Sequence, residues 1–247
     1  MNNAVTEGLP DFLVLGTQKG GTTSLQLLLN QHPNVFLAPG KEVHYFSKHW
    51  EQSQAWYASH YKDAAPGQQR GDITPFYLFH PQAPQRIHSL LPNARLIVLL
   101  RDPVERALSQ YFHSARLGFE SLTLEEALAA EPERLRTDSP LHLQEHSYVS
   151  RSRYVEQLDR YEELFSAQQL LVMKSEAMFA DPATTWQQIE SFLGLPTSPC
   201  PSTLAKANSG RDEANGVSDA IRNALRQQLK ATALEVRERY GFGWDWA

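Results

Sequence analysis

Three short runs, DFLVLG (11–16), RLIVLL (95–100) and QLLVMK (169–174), are apolar at consecutive positions, without the alternation of a half-buried strand. Apolar side chains on both faces predict buried strands of a parallel sheet. Helix signals follow them. After the second run Asp102 suits an N-cap, Pro103 suits the first helical position, and Glu105 completes a capping-box-like arrangement. Asp181 and Pro182 repeat the device and open a helix that ends at Gly194. Further helices are predicted over 81–91, over 123–130 with Thr123 and Glu126 as a capping box, over 153–165, and from Ser218 to just before Gly241. Strand followed by helix, repeated, predicts an α/β fold of three layers, a central parallel sheet flanked by helices. No repeat or low-complexity tract divides the chain, so residues 1–247 read as a single domain. The polar, weakly patterned segment 131–147 is expected as a lid or surface loop.

Composition narrows the partners. The 247 residues are 41% hydrophobic and 21% charged, ordinary for a globular chain, with a net charge of −5. No run of lysines and arginines appears, which argues against a nucleic-acid partner or a polybasic membrane anchor. Cys200 is the single cysteine, so no intrachain disulfide forms, and no Cys or His cluster predicts a metal. No stretch approaches the ~18 apolar residues of a membrane span, and the N-terminus lacks a signal-peptide pattern. A soluble, cytoplasmic protein is expected.

In an open α/β sheet the ligand lies at the carboxyl ends of the strands. The first such end carries LGTQKGGTTSL (15–25), a P-loop-like turn into a helix. Gly20 and Gly21 permit a tight turn, and Thr22, Thr23 and Ser24 add hydroxyls and helix-start N–H groups suited to an anion. In the P-loop pattern the lysine would occupy position 22 and bridge two phosphates beside a divalent metal. Here the lysine is Lys19, inside the loop, where it meets a group directly beyond a single phosphate. A sulfuryl group carries one negative charge where a terminal phosphoryl carries two, so a lysine suffices without a metal. The displaced lysine favours sulfuryl over phosphoryl transfer. Two other readings are a P-loop kinase or nucleotide hydrolase, and a non-catalytic nucleotide-binding protein of the same fold.

Arg101 ends the second strand, and Ser109 follows two turns into the next helix. An arginine fork with a nearby hydroxyl suits a dianionic phosphate monoester, although Arg101 could equally pair with Asp102 or Glu105. Arg106 is expected in a helix salt bridge. A transfer to a hydroxyl also needs a proton acceptor, and PGKEVHYFSKHW (39–50) supplies Glu42 and His44. If that segment is extended, the two side chains point to the same side.

The segments TQKGGTTSL and RLIVLLRDPVERALSQY together resemble the 5′-phosphosulfate loop and the 3′-phosphate strand and helix of sulfotransferases that use 3′-phosphoadenosine 5′-phosphosulfate (PAPS). EVHYF (42–46), DITPFYL (72–78) and GFGWDW (241–246) resemble the heparan-type sulfotransferases and their bacterial relatives. The resemblance implies PAPS as donor, 3′,5′-adenosine bisphosphate (PAP) as product, and no required metal. It makes Arg101 and Ser109 the 3′-phosphate ligands, with Ser209, Gly210 and Arg211 as candidates for a closing loop. It makes Glu42 the general base, with His44 as the alternative or as a substrate-orienting residue, and Lys19 the stabiliser of charge on the leaving group. The family lysine before the Thr-Pro pair is Ile73 here, which leaves the part of Asp72 and Thr74 open. The acceptor is expected to be a hydroxyl, or alternatively an amine, of a small molecule, lipid or carbohydrate. Tyr45, Phe46, Trp50, Trp56, Phe76 and Tyr77 are expected as pocket walls.

Overall fold

The computed structural model describes residues 8–137, 139–201 and 213–247. In chain order the elements are β1 (Phe12–Gly16), α1 (Thr22–Leu29), β2 (Val35–Leu37), α2 (Gln54–Ser59), β3 (Gln69–Ile73), α3 (Ala83–Leu90), β4 (Arg95–Leu100) and α4 (Pro103–Arg116). There follow α5 (Leu124–Arg134), α6 (Pro140–Glu145), α7 (Tyr154–Glu162), β5 (Leu170–Lys174), α8 (Ser175–Ala180), α9 (Pro182–Leu193) and α10 (Asp219–Tyr240). Two compact units result. One combines the chain up to Leu99 with Asp159–Ala207, and the other combines Leu100–Leu158 with the stretch from Asn208 onward. Each unit draws on two separate stretches, and no linker composition marks the crossings, so the sequence reads as one domain.

The first unit holds a five-stranded parallel sheet in the order β2-β3-β1-β4-β5. Chain order reverses direction across the β1–β4 pair, where Phe12 faces Arg95 and Val14 faces Ile97. The three apolar runs became β1, β4 and β5; β1 and β4 are buried as their patterning predicts, whereas β5 lies at the sheet edge and is mostly half-buried. On one side of the sheet Phe12, Val14, Ile97 and Leu99 pack with Leu25 and Leu28 of α1 and Trp186, Ile189 and Leu193 of α9. The alternate residues Leu13, Leu15, Leu96 and Val98 are equally buried, which is why these runs show no polar alternation.

β3 carries no such signal. Its sequence, QRGDI, is polar, yet it pairs with both β2 and β1. Gly71 is required there, because a Cβ would stand 2.2 Å from the Phe12 ring. Asp72 is tolerated because hydroxyls surround its carboxylate.

In the second unit Val104, Ala107, Leu108 and Tyr111 of α4 form a core with Leu124 and Ala127 of α5, Tyr148, and Leu225 and Leu229 of α10. The expected lid or loop at 131–147 includes the end of α5 and all of α6. Glu131 is buried and accepts the N–H groups of Val149 and Ser150, each at 2.8 Å. Long-range bonds to polar side chains give this segment its order, and local patterning does not show them.

Candidate active site

The turn after β1 is fastened to β4. The Thr17 N–H and its hydroxyl both donate to the Leu99 carbonyl at 2.9 Å, and the Gly20 N–H donates to the Thr17 carbonyl at 2.9 Å. A Cβ on Gly20 would stand 2.4 Å from Thr17 Oγ1 and 2.8 Å from the Leu99 oxygen, so the turn closes only around glycine. Gly21, at φ 93°, is the N-cap of α1, and no side chain caps this helix or places an acid in its first turn. An uncapped helix start presents first-turn N–H groups that lack intrahelical carbonyls, a natural seat for an anion. Thr22 and Ser24 are buried beside it. The hydroxyl of Thr23 accepts from Lys41 Nζ at 2.5 Å.

Lys19 stands in this turn at φ 68°. Glu42 and His44 have φ of 62° and 58°, and among the described residues these three are the non-glycines at positive φ. The 42–44 segment is therefore not extended. Left-handed turns at both ends of the Glu-Val-His tripeptide bring the side chains together by another route. His44 Nε2 lies 3.2 Å from Glu42 Oε2, and Lys41 Nζ lies 3.6 Å from Glu42 Oε1. The imidazole's other nitrogen is 3.0 Å from Ser47 Oγ. Burial acts to raise the Glu42 pKa, but the hydrogen bond from His44 and the charge of Lys41 outweigh it and hold the carboxyl below its ordinary value. The result is a carboxylate that remains ionised and keeps one side partly open to solvent.

Behind this pair lies Asp72, fully buried. Thr74 Oγ1 donates to its Oδ1 at 2.7 Å, and Tyr57 and Tyr77 donate to its Oδ2 at 2.7 and 2.9 Å.

In the second unit, Arg101 precedes α4 and Ser109 lies about two turns into it. Asp102 caps that helix, accepting from Val104 and Glu105 N–H at 2.9 and 3.1 Å. Its second oxygen accepts from Trp246 Nε1 at 2.6 Å, and the Arg101 carbonyl accepts from the Tyr154 hydroxyl at 2.7 Å. The backbone beneath Arg101 is thus fixed from two sides. Arg101 and Ser109 are both half-buried.

A profile of the sulfotransferase domain matches residues 9–229. The chain belongs to the sulfotransferase family. It is 35% identical over 188 residues to human heparan sulfate glucosamine 3-O-sulfotransferase 6, covering 75% of this chain and 52% of the relative. It is 43% identical over 109 residues to the membrane-associated sulfotransferase kil1 of Dictyostelium discoideum, covering 43% of this chain and 23% of that protein. The chain therefore spans about half or less of these curated relatives. A crystal structure of a sulfotransferase from Alicyclobacillus acidocaldarius superposes with a TM-score of 0.82 at 27% identity, over 96% of this chain and 98% of that one. A mouse sulfotransferase complexed with PAP shares the fold alone, with a TM-score of 0.58 at 15% identity, over 91% of this chain and 84% of that one.

This member of the family places Lys19, Gly20 and Gly21 in one turn and Thr22, Thr23 and Ser24 at the start of α1, and it pairs Glu42 with His44. Ser209, Gly210 and Arg211 lie outside the described residues. Arg106 departs from expectation. It is fully buried and bonds neutral groups, Ser152 Oγ and Gln110 Oε1 at 2.6 Å and the Tyr148 carbonyl, and burial lowers its pKa to about 10. Arg106 braces the second unit. Of the expected pocket walls, Tyr45, Phe46, Phe76 and Tyr77 are buried, and Trp50 and Trp56 are half-buried. The Asp72 hub escaped the sequence reading. Its one signal is an aspartate directly before an Ile-Thr-Pro step, with tyrosines at 57 and 77. No helix among the described residues is long and apolar enough to cross a membrane.

Proposed function

We propose that the protein transfers a sulfuryl group from PAPS to a hydroxyl acceptor, with Glu42 as general base. The observation that carries this reading is the shared left-handed backbone of Lys19, Glu42 and His44. Non-glycine residues rarely adopt that conformation, and where a fold maintains it the cause is commonly function. Here the residues concerned include a loop lysine beside an anion-binding helix start and a carboxylate held ionised.

The roles follow from the chemistry. The 5′-phosphosulfate is assigned to the N–H groups of Gly20 to Ser24 and the hydroxyls of Thr22, Thr23 and Ser24. The 3′-phosphate is assigned to Arg101 and Ser109, with Ser209, Gly210 and Arg211 as further candidates. The acceptor oxygen attacks sulfur as its proton passes to Glu42 Oε. The bond from sulfur to the bridging phosphate oxygen breaks, and Lys19 stabilises the charge that develops on that oxygen. His44, bonded to the carboxylate, orients it and takes its place as base if Glu42 is only an orienting group. The acceptor is a small-molecule, lipid or carbohydrate hydroxyl. The relatives' names support a sugar, and the net charge of −5 and Ile73 in place of a lysine favour one without a dense negative charge. The assignment requires no metal.

Ligand-dependent thermal unfolding tests it against the kinase or hydrolase alternative. PAP without metal is expected to raise Tm, because a ligand that binds only the folded state stabilises it. A rise with ATP and magnesium and none with PAP would overturn the proposal.

A further inference from the structure

Residues 42–44 belong to no helix or strand, and yet their backbone conformation is unusual and well defined. Something outside the segment must hold it. Three side chains donate a hydroxyl to the buried Asp72 carboxylate, and each of them also contacts one of the residues 44, 45 and 46. The hydroxyl of Thr74 accepts the His44 N–H at 3.4 Å. The Tyr77 hydroxyl accepts the Phe46 N–H at 3.4 Å. The Tyr57 ring, which also donates to Asp72, stacks on Tyr45 with centroids 4.2 Å apart and planes 4° from parallel.

The polarity of these bonds has a single source. The two carboxylate oxygens of Asp72 accept from all three side chains, so the hydroxyl protons of Thr74, Tyr57 and Tyr77 all turn towards Asp72. The lone pairs of Thr74 and Tyr77 are thereby left to receive backbone N–H groups. We propose that Asp72 is a positioning residue for the Glu42–His44 pair, orienting the Thr74 and Tyr77 hydroxyls that hold residues 44–46. The proposal deepens the sulfuryl-transfer reading and rests on it for its catalytic meaning. It also explains why a carboxylate sits at the end of a central strand, where burial drives its pKa upward and the three hydroxyls, with the charge of His44, offset part of that cost.

Two readouts separate this role from plain packing. The first is amide hydrogen exchange. Thr74→Val keeps the side-chain shape and removes the hydroxyl, and it should speed exchange at the His44 N–H about tenfold, leaving the amides of β1 and β4 unchanged. Tyr77→Phe should do the same at the Phe46 N–H. Asp72→Asn, whose amide can donate to one of the hydroxyls and turn it around, should loosen at least one of the two amides. The second is kinetic. Thr74→Val should lower kcat about 10- to 100-fold with the KM for PAPS unchanged, because a base displaced by a fraction of an ångström loses reaction geometry and not donor binding. Thr74→Ser should restore both readouts. Unchanged exchange at His44 in Thr74→Val overturns the proposal, and so do equal losses in Thr74→Val and Thr74→Ser. If Thr74→Val fails to fold, Tyr77→Phe decides on the Phe46 amide. Absence of product from the wild-type protein with every acceptor overturns the sulfotransferase reading instead, and amide exchange then decides the Asp72 proposal without turnover.

Discussion

Lys19, Glu42 and His44 each hold a backbone that costs an L-residue roughly 1–2 kcal/mol relative to glycine. In the phosphate-binding role proposed for this turn, such a cost at a lysine is a trade of stability for chemistry. Lys19→Gly should therefore be more stable than Lys19→Ala by about 1 kcal/mol, as read from denaturant unfolding. Both variants should lose about 100-fold or more in kcat. Equal stability of the two would contradict the left-handed turn. For Glu42 the sign of the pH dependence is fixed by its partners. A carboxylate base works when deprotonated, and Glu42 is held below the ordinary 4.5 by His44 and Lys41 against its burial. The acid limb of the kcat/KM profile should then lie below that value and move upward in His44→Ala, which removes the strongest lowering contact. Glu42→Gln should cost about 10²- to 10⁴-fold in kcat. A limb in the histidine range of the wild-type profile would assign the base to His44.

At the scale of elements, the proposed binding falls to two turns, and each was legible for a local reason. The loop before α1 announces itself through glycines, hydroxyls and a lysine within a few residues, and the start of α4 through Asp102-Pro103. Gly20→Ala should abolish PAP binding, because the new methyl collides with Thr17 and the Leu99 carbonyl; calorimetric titration would show it. Arg101→Ala should weaken PAP binding about 10- to 100-fold, the worth of a hydrogen-bonded charge, and leave the fold intact. Features set by distant partners were not legible. Nothing local announces that Glu42 and His44 adopt positive φ, and an extended segment was the natural expectation for them. β3 was hidden because Asp72 owes its burial to Tyr57, Thr74 and Tyr77, and Arg106 because its bonds go to Tyr148 and Ser152. The same holds for segment 131–147, whose order comes from carboxylate-to-backbone bonds such as those of Glu131.

For the molecule as a whole, patterning gave β1, β4, β5 and most of the helices, with β1 and β4 the plainest because both their faces are covered and must be apolar. It did not show that the chain leaves the first unit at Leu99 and re-enters at Asp159, since neither crossing carries a linker. Family membership rests on a match that covers most of the chain, from residue 9 to 229. The donor and the base rest on the turn around Lys19 and on the Glu42–His44 pair. The measurement that tests this most directly is product analysis by mass spectrometry after incubation with PAPS, using a panel of sugar and small-molecule hydroxyl acceptors. Wild-type protein is expected to add one SO₃ to an acceptor without added metal, with Lys19→Ala and Glu42→Gln adding little or none under the same conditions. Sulfate gain by both variants at the wild-type rate, or no gain by the wild-type protein with any acceptor, would contradict it.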